Sequence, residues 1–404
     1  VVALAAAAAI GGVPLGCRST AKPAPLGSAA TSAVSSTAVD ARTGPTVVQA
    51  QRMDSVRPTP PSAGEEYFGV QLDWSAATPA SYAASLGRVP YDFGQFVSLP
   101  LSTADERRLD TAVSELAALH AKLFLTLEVP GGLGTVTPAV AQSIATDLAR
   151  WNLQGVGIFV RFGQEMNGGW YPWAQQPVRY VAAFRLIASY VHRLAPGSVM
   201  VWSPNYGGGY PFAGEPYVAQ PGTAAFQTLD TNHDGKLTMQ DDPYGPYYPG
   251  DDAVDWVGLS LYHFGNRWPW GANDVPEPGK FVNQMTGSYD GDNGNDTAVP
   301  NFYAVWAVGH HKPMAISETA ALYDGAQSGA GATELQVKRA WIDQVFNPSV
   351  RADFPALALI DWFEYRKTEG GISGVVDWRA VANPQIRSAL QAALISGYVF
   401  SPSG

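Results

Sequence analysis

The residues best suited to chemistry stand at the end of an apolar run. The stretch from Gly157 to Trp173 reads GIFVRFGQEMNGGWYPW. Its first part, Ile158-Phe159-Val160, has strand composition, and it gives way to Glu165, Asn167, two glycines, Trp170, Tyr171 and Trp173. Strand alternation places Phe159, Arg161, Gly163 and Glu165 on one face and Ile158, Val160, Phe162 and Gln164 on the other. The second face is fit to lie under helices. The first carries Arg161 and Glu165, which are too costly to bury unpaired. An acid beside stacking surfaces for sugar rings is one reading of this set. A strand-end glutamate satisfied by Arg161, with the aromatics as core, is the other.

Such a residue needs a scaffold, and the chain supplies a regular one. With 404 residues, 46% of them hydrophobic, it has core enough for one large domain or two ordinary ones. After about residue 65, strand-like runs alternate with helical patterns, the mark of parallel β/α units. Eight strands are predicted: Tyr67 to Asp73, Asp92 to Leu99, Lys122 to Val129, Gly157 to Gln164, Ser198 to Pro204, Asp255 to Tyr262, Pro313 to Glu318 and Ala356 to Phe363. Helix starts are signalled by Thr78-Pro79, Thr137-Pro138 and Asn383-Pro384, and capping boxes by Thr103 with Glu106 and Thr333 with Gln336. Eight units in residues 65–400 predict a (β/α)8 TIM barrel, whose chemistry belongs at the carboxyl ends of the strands. Glu165, Asn205, Tyr262, Glu318 and Trp362 all fall there.

Charge and cysteine narrow the function. Charged residues make up 15% of the chain and the net charge is -10, which argues against a nucleic-acid partner and leaves a neutral polymer compatible. The single cysteine, Cys17, excludes an intrachain disulfide and a cysteine metal cluster. Residues 1–17 read as an export signal, VVALAAAAAIGGVPLG before Cys17, with Pro14 to Cys17 a candidate lipoprotein cleavage box and lipid anchor. No initiator Met or basic leader precedes it, so the start of the chain is expected to be missing. No other segment reaches the ~18 apolar residues of a membrane span. Residues 18–64, rich in Ser, Thr, Ala and Pro, are expected to form a disordered tether. The mature protein is thus expected to be secreted or lipid-anchored at a bacterial cell surface, and monomeric.

Three runs carry a family resemblance. Arg161 to Gly168, followed by Trp170 and Trp173, resembles the acid/base motif of glycoside hydrolase family 26. Lys312 to Thr319 looks like its nucleophile strand, and Asp255 to Tyr262 is similar to the strand whose tyrosine touches that nucleophile. The resemblance implies a (β/α)8 barrel and a retaining endo-acting glycanase on β-mannan or mixed-linkage β-glucan, with no organic cofactor. It makes Glu165 the acid/base and Glu318 the nucleophile, has Tyr262 hold Glu318, and places Trp362 under the reacting sugar. One position departs: Gln164 stands where family members usually carry His, so the tuning of Glu165 and the substrate contact there differ.

Retention requires two carboxyls about 5–5.5 Å apart, one protonated and one ionised, and repulsion between them would raise one pKa. Arg161, deeper on the same face, is placed to hold a neighbouring carboxylate ionised. Gln164, Asn167, Trp170, Trp173, Asn205, Trp268 and Trp362 are the further candidates for contact with a β-linked polysaccharide. Glu128 is the strongest rival carboxylate.

Between strands five and six, Asp230 to Asp241 fits an EF-hand-like calcium loop. Asp230, Asn232, Asp234, Thr238 and Asp241 would supply side-chain oxygens and Lys236 its backbone carbonyl. A structural Ca2+ there would pin a long connection in which Tyr244, Tyr247 and Tyr248 form a groove wall. Two alternatives to a mannanase stay open: a β-glucanase or exopolysaccharide hydrolase, and a carbohydrate-binding relative without turnover.

Overall fold

A computed structural model describes residues 39–40, 42–372 and 374–402. The export segment, Cys17 and the first half of the tether lie outside the described residues. Eight parallel strands close into a barrel: β1 Glu66–Leu72, β2 Asp92–Ser98, β3 Lys122–Glu128, β4 Ile158–Phe162, β5 Ser198–Trp202, β6 Trp256–Ser260, β7 Met314–Thr319 and β8 Leu357–Glu364. Each strand pairs with the next, and β8 returns to β1 in parallel register, with Tyr67 opposite Leu359 and Leu72 opposite Glu364. All eight agree with the sequence pattern to within a residue or two at each end.

Two apolar layers hold the barrel. Ile158, Val160 and Phe162 of β4 join the outer core under the helices. Phe159 instead joins Phe124, Trp256, Val201 and Leu359 inside the cylinder. The inner aromatics interlock, Phe124 stacking on Phe159 at 5.4 Å and Trp256 meeting Phe159 edge-on at 5.1 Å. This filled interior forces any chemistry to the rim.

The helix starts follow the capping chemistry. Thr78, Thr137, Thr333 and Asn383 each accept an N–H from the first turn of the helix they precede. One start differs. The expected Thr103–Glu106 box is displaced by one residue, because Ser102 caps Thr103–Ala118 and takes the N–H of Asp105.

The tether reading is corrected over its second half. Residues 47–54 form a helix, α1 (Val47–Asp54), capped by Thr46 with a reciprocal bond from Gln49. Low apolar content concealed it: Met53 is fully buried, while Val47 and Val48 stay exposed. The strap that follows crosses the amino-terminal ends of the strands. Arg57 donates to the carbonyls of Pro196 and Ser198 at 3.0 and 2.9 Å and pairs with Asp255 at 2.7 Å. Pro60 to Ala63 then share a surface groove with Lys312, Pro313 and Ala356 before the chain enters β1.

Gly157, just before β4, tests this packing, since a Cβ there would lie 1.9 Å from the Val56 carbonyl oxygen. Gly157→Ala is expected to lower unfolding free energy by about 1–3 kcal/mol in urea titration, as overpacking does. An unchanged midpoint would mean that the strap lifts away without cost.

Candidate active site

At the end of β4 the chain leaves strand geometry abruptly. Gly163 and Glu165 both take left-handed backbone, φ 54° and 55°. For Glu165 that costs about 1–3 kcal/mol, which the surroundings must offset. They do so with directed hydrogen bonds. Glu165 N–H donates to the Ser203 carbonyl at 3.0 Å and Gly168 N–H to the Glu165 carbonyl at 2.9 Å. The Trp173 indole donates to the Gln164 carbonyl at 2.8 Å. The Asn167 amide clasps Asn205, donating to its carbonyl and accepting its N–H, both at 2.8 Å.

The two glutamates meet at the carboxyl-terminal mouth of the barrel. Arg161, fully buried, donates through Nη1 to Glu318 Oε1 and through Nη2 to Ser260 Oγ at 2.6 Å. Tyr262 donates its hydroxyl to Glu318 Oε2. Glu318 therefore has a charged donor on one oxygen and a phenol on the other. Glu165 has no such counter-charge at contact; its Oε2 accepts the Trp170 indole N–H at 3.0 Å. Burial pushes its carboxyl up to about 7, with the charge of Glu318 adding to the rise and Arg161, Ser260 and Trp170 opposing it. One carboxylate is thus held by a guanidinium and a phenol, while burial favours the protonated form of the other.

A third carboxyl stands beside them. Glu128, at the end of β3, accepts the Gln164 amide at 2.8 Å. Burial pushes it up to about 6, the Gln164 bond lowering it and Glu318 raising it. Gln164, the position that departs from the family pattern, is thus turned toward Glu128. Of the other carboxylates near strand ends, Glu364 accepts the N–H groups of Ala380 and Val381 at 2.8 and 3.0 Å. Asp73 binds Ser75.

Several expected sugar contacts lie elsewhere. Trp362 is fully buried on the outer side of β8, against Phe346, with its indole N–H on the Trp378 carbonyl at 3.1 Å. Alternation explains this, because Asp361 points inward to Gln71 and its neighbour must point outward. Phe363 and Trp378 instead flank Tyr262, at 5.7 and 5.1 Å. Neither was singled out in the sequence, where Trp378 follows a short strand, Val375–Asp377, with no signal of its own. Trp173 is buried in a stack on Tyr171 at 4.4 Å, and Asn167 is spent on Asn205. Arg161 serves Glu318, not a substrate. Half-buried Trp170 and exposed Trp268, edge-on to Trp270 at 5.8 Å, keep rim positions, as does Asn205.

The structure gives calcium no support. In the Asp230 to Asp241 loop, Asp230 accepts the N–H groups of Asp234 and Gly235, and Asp234 accepts that of Lys236. Asn232 also accepts from Asp234, and Asp241 accepts from Thr231 and Thr238. The Thr238 hydroxyl accepts from Gln240. The carboxylates close the turn by themselves, and among the described residues no cluster of three or more His, Cys, Asp or Glu side chains could hold a metal ion. Tyr244 and Tyr247, expected in a groove wall, are fully buried.

Comparison with known proteins agrees on the architecture. No family model matches the chain. Endoglucanase H of Acetivibrio thermocellus is 23% identical over 250 residues, 60% of this chain, and the match spans only 21% of that protein's length. An endo-β-1,4-mannanase double mutant from Cellulomonas fimi superposes with a TM-score of 0.54 at 14% identity, covering 91% of this chain and 78% of the other. The catalytic domain of the GH26 endo-β-1,4-mannanase of Bacillus sp. JAMB-750 gives 0.53 at 16% identity, covering 89% and 93%. The protein is a (β/α)8 barrel with two glutamates at its carboxyl-terminal mouth. Its fold is that of glycoside hydrolase family 26.

The electrostatics can be tested directly. In 13C NMR of labelled protein the Glu165 carboxyl is expected to titrate near 7. In Glu318→Gln the midpoint should fall, because the repelling charge is gone; an unchanged midpoint would mean that the two groups do not interact.

Proposed function

We propose that this chain is an exported glycoside hydrolase that cleaves a β-linked polysaccharide by double displacement. The observation that carries the reading is the unequal treatment of two glutamates at one rim, Glu318 bonded by Arg161 and Tyr262 and Glu165 burdened by burial. In the first step a Glu318 oxygen bonds to the anomeric carbon as the glycosidic C–O bond breaks, and Glu165 gives its proton to the departing oxygen. Arg161 and Tyr262 keep the attacking carboxylate oriented. In the second step Glu165, now ionised, takes a proton from water, whose oxygen bonds to the anomeric carbon and releases Glu318. Trp170, hydrogen-bonded to Glu165, holds the acid on the side of the leaving group.

β-Mannan is the first substrate to test, on the strength of the mannanases that share the fold. β-Glucan is the second, supported by the endoglucanase relative. The apolar run before Cys17 supports export and attachment to a membrane through lipid on that residue.

Glu318→Ala is expected to cut release of reducing ends by at least about 10^3-fold while the folded spectrum is kept. The alkaline limb of kcat/KM should fall as pH rises through about 7, where Glu165 loses its proton, and Glu165→Gln should abolish that limb. Full turnover by Glu318→Ala on purified mannan and glucan would refute the assignment.

A further inference from the structure

The barrel closes where β8 returns to β1, and the interior of that seam is acidic. Asp361 of β8 stands opposite Gly69 of β1, and Asp92 is the first residue of β2, which pairs with β1 on its other side. Both carboxyls are fully buried. They converge over Gly69, where a Cβ would lie 2.0 Å from Asp361 Oδ1 and 2.5 Å from Asp92 Oδ2.

Donors are scarce around this pair. Gln71 Nε2 donates to Asp361 Oδ2 at 2.9 Å, but Asp361 Oδ1 and both oxygens of Asp92 are buried with no such partner. The donor that remains is a proton carried by one acid and accepted by the other, since each lies within hydrogen-bonding reach of its neighbour. Cations are no nearer. Arg161, the positive group that acts on Asp361, gives its guanidinium to Glu318 and Ser260. Lys122, opposite Asp92 on β3, extends toward Gly157, and its amine feels burial alone. The phenols of Tyr91 and Tyr67, stacked at 3.5 Å next to Asp92 and Gly69, are raised by burial and stay un-ionised.

Two ionised carboxylates with one amide donor and no counter-charge at contact are too costly for such an interior. We infer that Asp92 and Asp361 form a proton-held latch at the closing seam, tying β8 to β2 across β1 in acid and loosening the domain as the pair ionises. Gln71 carries the latch toward the rim, because it also donates to the Ser317 carbonyl at 3.1 Å, one residue before Glu318. The latch belongs to the barrel itself and holds whatever reaction takes place at its mouth.

The direction of its pH dependence follows from linkage. Burial raises both carboxyls, and Asp92 raises Asp361 further. Unfolding returns them to the ordinary range, so between about pH 4 and about pH 8 the folded chain binds more protons than the unfolded one. The contribution of the latch is complete below that window and is lost as pH rises through it.

Other buried carboxyls raised by burial, Glu66, Glu165 and Glu364 to about 7 and Glu128 to about 6, add slopes of their own. The test is therefore the difference between wild type and Asp361→Asn or Asp92→Asn, which keep the shape and leave one carboxyl facing an amide. The urea midpoint of either variant, relative to wild type, should rise by at least about 0.5 M between about pH 5 and about pH 9. A difference equal at both ends of that range would overturn the latch. Infrared spectra of wild type labelled with 13C-aspartate read the proton directly, and they decide if neither variant folds. The band of an un-ionised aspartic acid at about pH 7 upholds the latch, and its absence removes it.

Discussion

The buried pairing of Arg161 with Glu318 is the constraint on which the mouth of the barrel depends. Neither charge could be left alone there, since an uncompensated buried charge costs several kcal/mol. The guanidinium also reaches Ser260, so a single side chain of β4 fixes the positions of groups on β6 and β7. Tyr262 closes the set from the far side of Glu318. Burial is what first raises the Glu165 carboxyl, and the same pairing adds to the rise. Arg161 is occupied by Glu318, so Glu165 feels more of the negative charge than of the positive.

Deeper in the cylinder the same problem is solved without a cation. Asp92 and Asp361 both lie fully buried over Gly69, where a Cβ would stand 2.0 Å from Asp361 Oδ1 and 2.5 Å from Asp92 Oδ2. Burial pushes Asp92 up to about 8 and raises Asp361 well above its ordinary range, Asp92 adding to that rise. Burial favours the neutral forms of these carboxyls, whereas Glu318 has the Arg161 guanidinium at contact. The Gln71 amide joins the two levels, donating to Asp361 Oδ2 at 2.9 Å and to the carbonyl of Ser317, next to Glu318, at 3.1 Å.

The barrel was legible in the sequence because each strand is a short apolar run with polar ends and most helices begin at a capping side chain. Glu165, Glu318, Tyr262 and Arg161 were legible for a related reason: position at a strand's end fixes which rim a residue occupies. What escaped depends on alternation within a strand and on contacts distant in sequence. Trp362 and Phe363 differ by one position, and the inward turn of Asp361 decides which faces Tyr262. Trp173 and Asn167 stand in the most distinctive motif of the chain, yet they brace its backbone instead of the cleft. Helix α1 escaped because its burial rests on Met53, with too little apolar periodicity to stand out.

The strap from α1 to β1 has a directional consequence. It passes beneath β4, β5, β6, β7 and β8 on the face opposite the glutamates, pinned there by Arg57. A fusion partner joined directly to α1 would therefore meet the barrel on the side away from Glu165 and Glu318, leaving their rim uncovered.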